Sequence, residues 1–175
     1  MTKKTKLNIQ SDNLYNSILL LSRNKIFYTK FSLIDTFQNR IHLIFIHISF
    51  IFCKIKQNDQ NDIFKLFYQN VFDLTFKKIE INMREIGFSD TSINKNMRSL
   101  VKKFYNILLE CEKYSKKTSD MKNKFLNTYL KHNKLENMVN NKELVDYFNK
   151  YEAFCFDLNP DSVLREEFKF NYKEF

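Results

Sequence analysis

A single glycine, Gly87, and a single proline, Pro160, serve a chain of 175 residues. Tight turns lean on those two residues, because glycine supplies positive φ and proline presets the turn dihedral. A sheet-rich domain needs such a turn every few residues, whereas long helices need few. The sequence therefore predicts an all-α fold, a single-domain bundle of about six helices, with a real core because 43% of the residues are hydrophobic.

Apolar spacing places the helices. Leu14, Ile18 and Leu21 mark a first helix opening near Asp12 or Asn13, both good N-caps. Segment 1–11 is then a basic tail that carries Lys3, Lys4 and Lys6 but no apolar stretch of a secretory signal. Phe27-Tyr28-Thr29-Lys30-Phe31 reads as an aromatic connector, and a second helix runs from Asp35-Thr36, with Thr36 as cap, to about Gln57. Gln57 to Asn61 is a polar loop. A third helix carries the stripe Ile63, Phe67, Val71, Leu74, Ile79, Met83, Ile86 and stops at Gly87, in the left-handed position past a helix end, with Phe88 as the accompanying apolar contact. A fourth opens after Ser92 and buries Ile93, Met97, Leu100, Val101, Phe104, Leu108 and Cys111. Ser119-Asp120 caps a shorter fifth helix. Asn140 and Glu143 open a sixth, with Leu144, Tyr147, Phe148, Tyr151 and Phe154 on its apolar face. Asn159-Pro160 opens a short last helix within a C-terminal tail, 159–175, leaving 12–158 as the helical domain.

The run Ile41 to Cys53 has no charged residue. A membrane-spanning helix needs ~20 apolar residues. This run is shorter, holds His42 and His47, and is bounded by Arg40 and Lys54, so it predicts a buried core helix and no integral membrane span.

Site chemistry is sparse. Five residues rotate about 140° around a helix, so His42 and His47 do not face one metal ion. With one glycine, neither a P-loop nor a nucleophile elbow can be built. Cys53, Cys111 and Cys155 are far apart in the sequence, which argues against a zinc or redox motif and for a reducing compartment. Glu166-Glu167 sits in a charged tail. The sequence thus points to no catalytic residue, no cofactor and no metal site, and to a protein that is not an enzyme. The formal net charge is +9 and Lys95, Arg98 and Lys102 share one helix side. That pattern suits a solvated face as well as an acidic partner, and it keeps open a basic helical nucleic-acid-binding protein as the alternative function.

Two blocks resemble the ubiquinol–cytochrome c chaperone family. The first joins Leu14-Tyr15, Arg23, Phe27-Tyr28, Asp35-Thr36, Arg40 and His47. The family has a Phe-Tyr pair, an Asp, a Gly-Arg-Phe-acidic segment and an apolar run ending in His. The second is Met83-Arg84-Glu85-Ile86-Gly87-Phe88-Ser89-Asp90, similar to the family's Leu-Arg-Glu-Met-Gly-Val-Gly-Asp, followed in register by Ile93, Lys95, Met97 and Phe104-Tyr105. A weaker match runs through Leu126 to about Leu158. Departures are visible at Asn39 for Gly, Ile41 for Phe, His42 for an acidic residue, Ser89 for Gly, and Asn106-Ile107 for Gly-Arg.

The resemblance implies an all-helical assembly chaperone for the cytochrome bc1 complex, respiratory complex III, that binds newly made cytochrome b. It also implies a small partner subunit and the ribosome as companions. The expected location is cytoplasmic, peripheral on a bacterial inner membrane, or on the matrix side in a mitochondrion. Such a client calls for an apolar groove, for which the Phe and Ile surplus of the second and third helices is one source; all of it being core is the other reading. Tyr15, Phe27, Tyr28, Asp35, Arg40, His47, Arg84, Glu85, Gly87, Asp90, Lys95, Phe104 and Tyr105 are the family-motif residues. For Asp35, Arg40, Arg84, Glu85 and Asp90, a buried or half-buried ion-pair network that fixes helix contacts is expected ahead of direct client contact.

Overall fold

A computed structural model describes residues 3–56, 62–133, 141–164 and residue 170. The loop expected at 57–61, the cap at Asn140 and the Glu166-Glu167 pair lie outside them. The elements are α1 Lys3–Ser22, α2 Ile26–Thr29, α3 Phe37–Lys56, α4 Asp62–Glu85, α5 Asp90–Glu112, a 3-10 turn Tyr114–Lys116, α6 Ser119–Tyr129, α7 Lys142–Asp157 and α8 Pro160–Leu164. Two of these, α2 and α8, are single turns, which leaves six longer helices. Among the described residues there is no strand, only an isolated bridge between Leu33 and His132.

The fold is organised around α3. Every residue from Ile41 to Cys53 is buried, because α1, α4, α5 and α7 all pack on this helix. A helix that is apolar all round is stable only when enclosed. No described helix is long and apolar enough to cross a membrane. Thr36 caps α3 as expected, its hydroxyl accepting from the Asn39 N–H at 3.2 Å.

Several boundaries differ from the sequence expectation. Helix α1 begins at Lys3, not near Asp12, so the basic segment is helical from there. Leu7, Ser11, Leu14, Ile18 and Leu21 are its buried line, spaced four and three residues apart. The hydroxyl of Ser11 is silenced by donating to the Leu7 carbonyl at 2.9 Å. The aromatic connector contains a turn of helix, α2. The ends of the third-helix stripe, Ile63 in α4 and Ile86 just past it, are exposed, whereas Phe64 and Phe76 of α4 are buried. Helix α5 opens at Asp90, two residues before Ser92, and its cap is Ser89, whose hydroxyl accepts from the Ser92 N–H. It also buries Ile107. Thr118, not Ser119-Asp120, caps α6, and Asn141 caps α7.

The α4–α5 corner is a glycine-terminated helix end. Gly87 has φ 88°. The Phe88 N–H donates to the Met83 carbonyl and the Gly87 N–H to the Arg84 carbonyl, both at 3.0 Å, which is the Schellman pairing. No atom lies within 4 Å of where a Cβ would stand on Gly87. The constraint is therefore backbone handedness alone, and Gly87→Ala is expected to lower unfolding free energy by ~1–2 kcal/mol, the cost of left-handed backbone for an L-residue. Urea denaturation measures it; an unchanged midpoint would mean the turn relaxes to another conformation.

Candidate functional site

Apart from Lys95, exposed on α5, and Tyr105, on a cleft at the far end of α3, the motif residues fall into three places. Phe27, His47 and Phe104 are core. His47 is wholly buried, and its Nδ1 lies 2.6 Å from the Leu43 carbonyl. A carbonyl only accepts, so Nδ1 carries the proton and donates. Nε2 is then the acceptor for the Tyr147 hydroxyl at 2.9 Å. The Tyr151 hydroxyl donates to the His47 carbonyl at 3.2 Å. Phe27, Phe148 and Tyr151 pack their rings on the imidazole. Burial pushes the His47 pKa down to about 4. His42, one and a half turns earlier, points elsewhere, its Nδ1 2.6 Å from the Tyr129 carbonyl. Both histidines serve packing.

A second group meets where the C-terminal ends of α1 and α4 meet the start of α3. A cleft of about 250 Å³ lies there, lined by Tyr15, Arg23, Arg40, Asn82 and Glu85 over an apolar floor that includes Ile41 and Ile79. Arg40 grips Asp35 with a two-pronged contact, Nε to Oδ1 at 2.6 Å and Nη2 to Oδ2 at 2.8 Å. That hydrogen bonding holds the Asp35 carboxyl below its ordinary pKa. Burial raises the Tyr28 phenol pKa, and nearby Asp35 adds to the shift.

The third group is the α4–α5 corner. Arg84 bonds Glu80 at 2.9 Å and Asp90 at 2.5 Å. These hydrogen bonds, Glu80's first, raise the Arg84 pKa. The buried or half-buried network expected of these residues is instead two separate pairs open to solvent: the side chains of Arg84 and Asp90 are 52% and 78% exposed, those of Arg40 and Asp35 46% and 50%. Glu85 joins neither. Exposed pairs contribute little, because water screens them and both side chains lose freedom. Asp90 is also not the cap, so its loss does not strip α5 of an acceptor. Arg84→Ala is accordingly expected to keep a melting temperature close to that of the parent protein. A large drop in thermal unfolding would show that the corner depends on this pair.

Sequence reasoning missed Asn39, which stands where the resembling family often has glycine. Its amide donates to the Ile34 and Lys131 carbonyls at 2.7 and 2.8 Å, and its oxygen accepts from the Lys131 N–H at 2.9 Å. With the Leu33–His132 bridge, this one side chain ties the start of α3 to the segment after α6. No local pattern marks it, because both its partners are backbone groups, one of them far along the chain.

A larger opening lies at the other end of α3. A cleft of about 510 Å³ lies among α3, α4 and α5. Phe52 and Ile55 form its floor, Phe64 and Tyr68 one wall, and Tyr105, Leu108 and Leu109 the other. Tyr68 lies against Phe52 with ring centroids 3.9 Å apart. Its phenol pKa is pushed up to about 12, chiefly by burial. The rim carries the Lys56–Glu112 pair at 2.7 Å, together with Lys65 and Gln69. The floor and one wall come from the second and third helices of the sequence expectation, α3 and α4, through residues outside the third-helix stripe, and the other wall is α5, which was not expected there. Among the described residues no group of His, Cys, Asp or Glu is arranged to hold a metal ion. What this cleft offers chemically is an apolar surface, open to solvent, able to take large apolar side chains.

The sequence model of the ubiquinol-cytochrome C chaperone family matches residues 29–170. The chain belongs to that family. Its fold is similar to the crystal structure of the Cbp3 homolog from Brucella abortus, with a TM-score of 0.83 at 20% identity, over 98% of this chain and 94% of that one. Comparison with curated proteins gives no match. Family membership agrees with the resemblance carried by the Arg84–Asp90 segment and by the block from Tyr15 to His47, whose greater part lies inside the matched span.

Proposed function

We propose that this family member is a non-enzymatic assembly chaperone for the cytochrome bc1 complex, and that its client is newly made cytochrome b. The observation that carries the proposal is the family match over residues 29–170. The cleft among α3, α4 and α5 supports it physically, since an incompletely assembled membrane subunit exposes apolar segments and the cleft is apolar and open. The chain works at the membrane surface, where such a client is inserted, and does not span it. A small partner subunit and the ribosome accompany this proposal on the family resemblance alone.

Deleting the gene tests it. Cytochrome b, followed by its haem spectrum, and bc1 activity are expected to fall together, and to return when the gene is restored. Parental levels of both in the deletion strain would overturn the proposal.

A further inference from the structure

One line of side chains on α5 joins two features that have so far stood apart. Lys95, Arg98, Lys102, Tyr105 and Leu109 are spaced three, four, three and four residues, which keeps them on one side of the helix. All five are exposed, Tyr105 at 46% and Leu109 at 53%. The last two line the 510 Å³ cleft. The first three are cations with no carboxylate partner among the described residues, unlike Arg40 and Arg84, which both have one. No acidic side chain interrupts the line between Lys95 and Leu109. At 1.5 Å per residue it is about 21 Å long, with its basic part filling the first half and its apolar part opening into the cleft.

We propose that this line and the cleft form one docking surface for a segment of a partner protein, apolar at one end and acidic along the other. Charge complementarity selects the acidic part: three unpaired cations on one face repel one another and are relieved by Asp or Glu side chains at matching spacing. The concave shape selects protein over membrane. A lipid surface takes apolar side chains that protrude, whereas Phe52, Phe64 and Leu108 are buried at the cleft's floor and walls and receive a side chain from outside. The polarity is fixed too, since the apolar end must lie toward the C-terminus of α5. This goes beyond the cytochrome b proposal, because it defines the surface and the occupant's chemistry whichever protein supplies the segment.

The test is photo-crosslinking of the full chain in its own cells. A photoreactive phenylalanine analogue replaces Leu109 in one strain and Arg98 in another, and the captured peptides are sequenced by mass spectrometry. Both positions are expected to capture the same protein, with Leu109 on an apolar stretch and Arg98 on a neighbouring stretch rich in Asp and Glu. Combining Lys95→Glu, Arg98→Glu and Lys102→Glu in the Leu109 strain is expected to cut the yield at least tenfold. The milder set Lys95→Gln, Arg98→Gln and Lys102→Gln shifts it the same way, which guards against a folding defect. Lys77→Glu with Lys78→Glu, exposed on α4, leaves it unchanged. Adducts on lipid, on RNA or on a second copy of this chain, no adduct at all, or a captured segment without acidic residues overturns the proposal, as does an undiminished yield in both α5 sets. A captured protein other than cytochrome b leaves the docking surface standing and removes the support that this cleft gives to the cytochrome b proposal.

Discussion

Phe104→Ala is expected to lower the unfolding free energy by ~3–5 kcal/mol, the range for truncating a buried aromatic. Phe104 is 1% exposed. Its ring meets Phe45 at 5.2 Å, Phe72 at 5.5 Å, Phe76 at 5.8 Å and Phe52 at 5.9 Å, so it is the joint between α3, α4 and α5. Those neighbours are held on two long helices, α3 and α4, that cannot collapse around the hole, which puts the cost at the upper part of the range. A domain's whole stability is ~5–15 kcal/mol, so a loss of this size removes a large share of it. Tyr105→Ala is the control from the same motif pair. Tyr105 stands half in solvent on the cleft wall, and its loss is expected to cost no more than about 1 kcal/mol. Urea denaturation of both variants decides the matter. Similar midpoints would mean that the Phe-Tyr pair does not divide into one core and one surface residue.

The division inside that pair shows what the sequence does and does not carry. Helix α3 was legible because its uncharged run is too short to span a bilayer and too apolar to lie at a surface; burial on all sides is the only remaining place for it. Gly87 was legible because a left-handed helix end has few alternatives. Helix caps were less so. Ser89, Asp90, Thr91 and Ser92 all carry side-chain oxygens, as do Thr118, Ser119 and Asp120, so the local signal names a cluster and the apolar register chooses within it. Choosing Ser89 puts Phe88 and Ile93 at the positions of a hydrophobic staple. Helix α1 was half missed because Ser11 breaks the apolar line, and only the structure shows its hydroxyl already satisfied within the helix.

The candidate site was the least legible part. The motif residues were found as a set, but their roles depend on what stands opposite them. Arg84 and Asp90 pair as expected, yet over solvent, because the α4–α5 corner projects beyond the packed core. The cleft wall on α5 could not be foreseen from period alone. Leu108 and Leu109 are consecutive and equally apolar, yet Leu108 is buried in the cleft wall and Leu109 stands exposed on it. Asn39 is the converse case, a polar residue whose environment of backbone carbonyls is assembled from distant sequence.

Stability is expected to fall on acidification from neutral pH, and His47 is expected to supply the largest single part. Its pKa in the folded chain is about 4, against about 6.5 when unfolded, because burial disfavours the imidazolium. The unfolded chain therefore binds the extra proton between those values. The contribution is fully present above about 6.5 and is lost as pH falls toward about 4. At 1.36 kcal/mol per pH unit, that gap from 6.5 to about 4 is worth about 3 kcal/mol. The geometry gives the same sign. Protonated Nε2 can no longer accept from the Tyr147 hydroxyl, so the hydrogen bond inside the pocket walled by Phe27, Phe148 and Tyr151 is lost. His42 and His132 are also shifted down by burial and act in the same direction. His47→Phe removes this titration together with the hydrogen bond from the Tyr147 hydroxyl, and His47→Phe with Tyr147→Phe removes that hydroxyl as well. Urea unfolding at pH 7, 6 and 5 should show a steep loss in the parent chain and a shallower one in both variants. An unchanged slope in His47→Phe would place the acid sensitivity elsewhere.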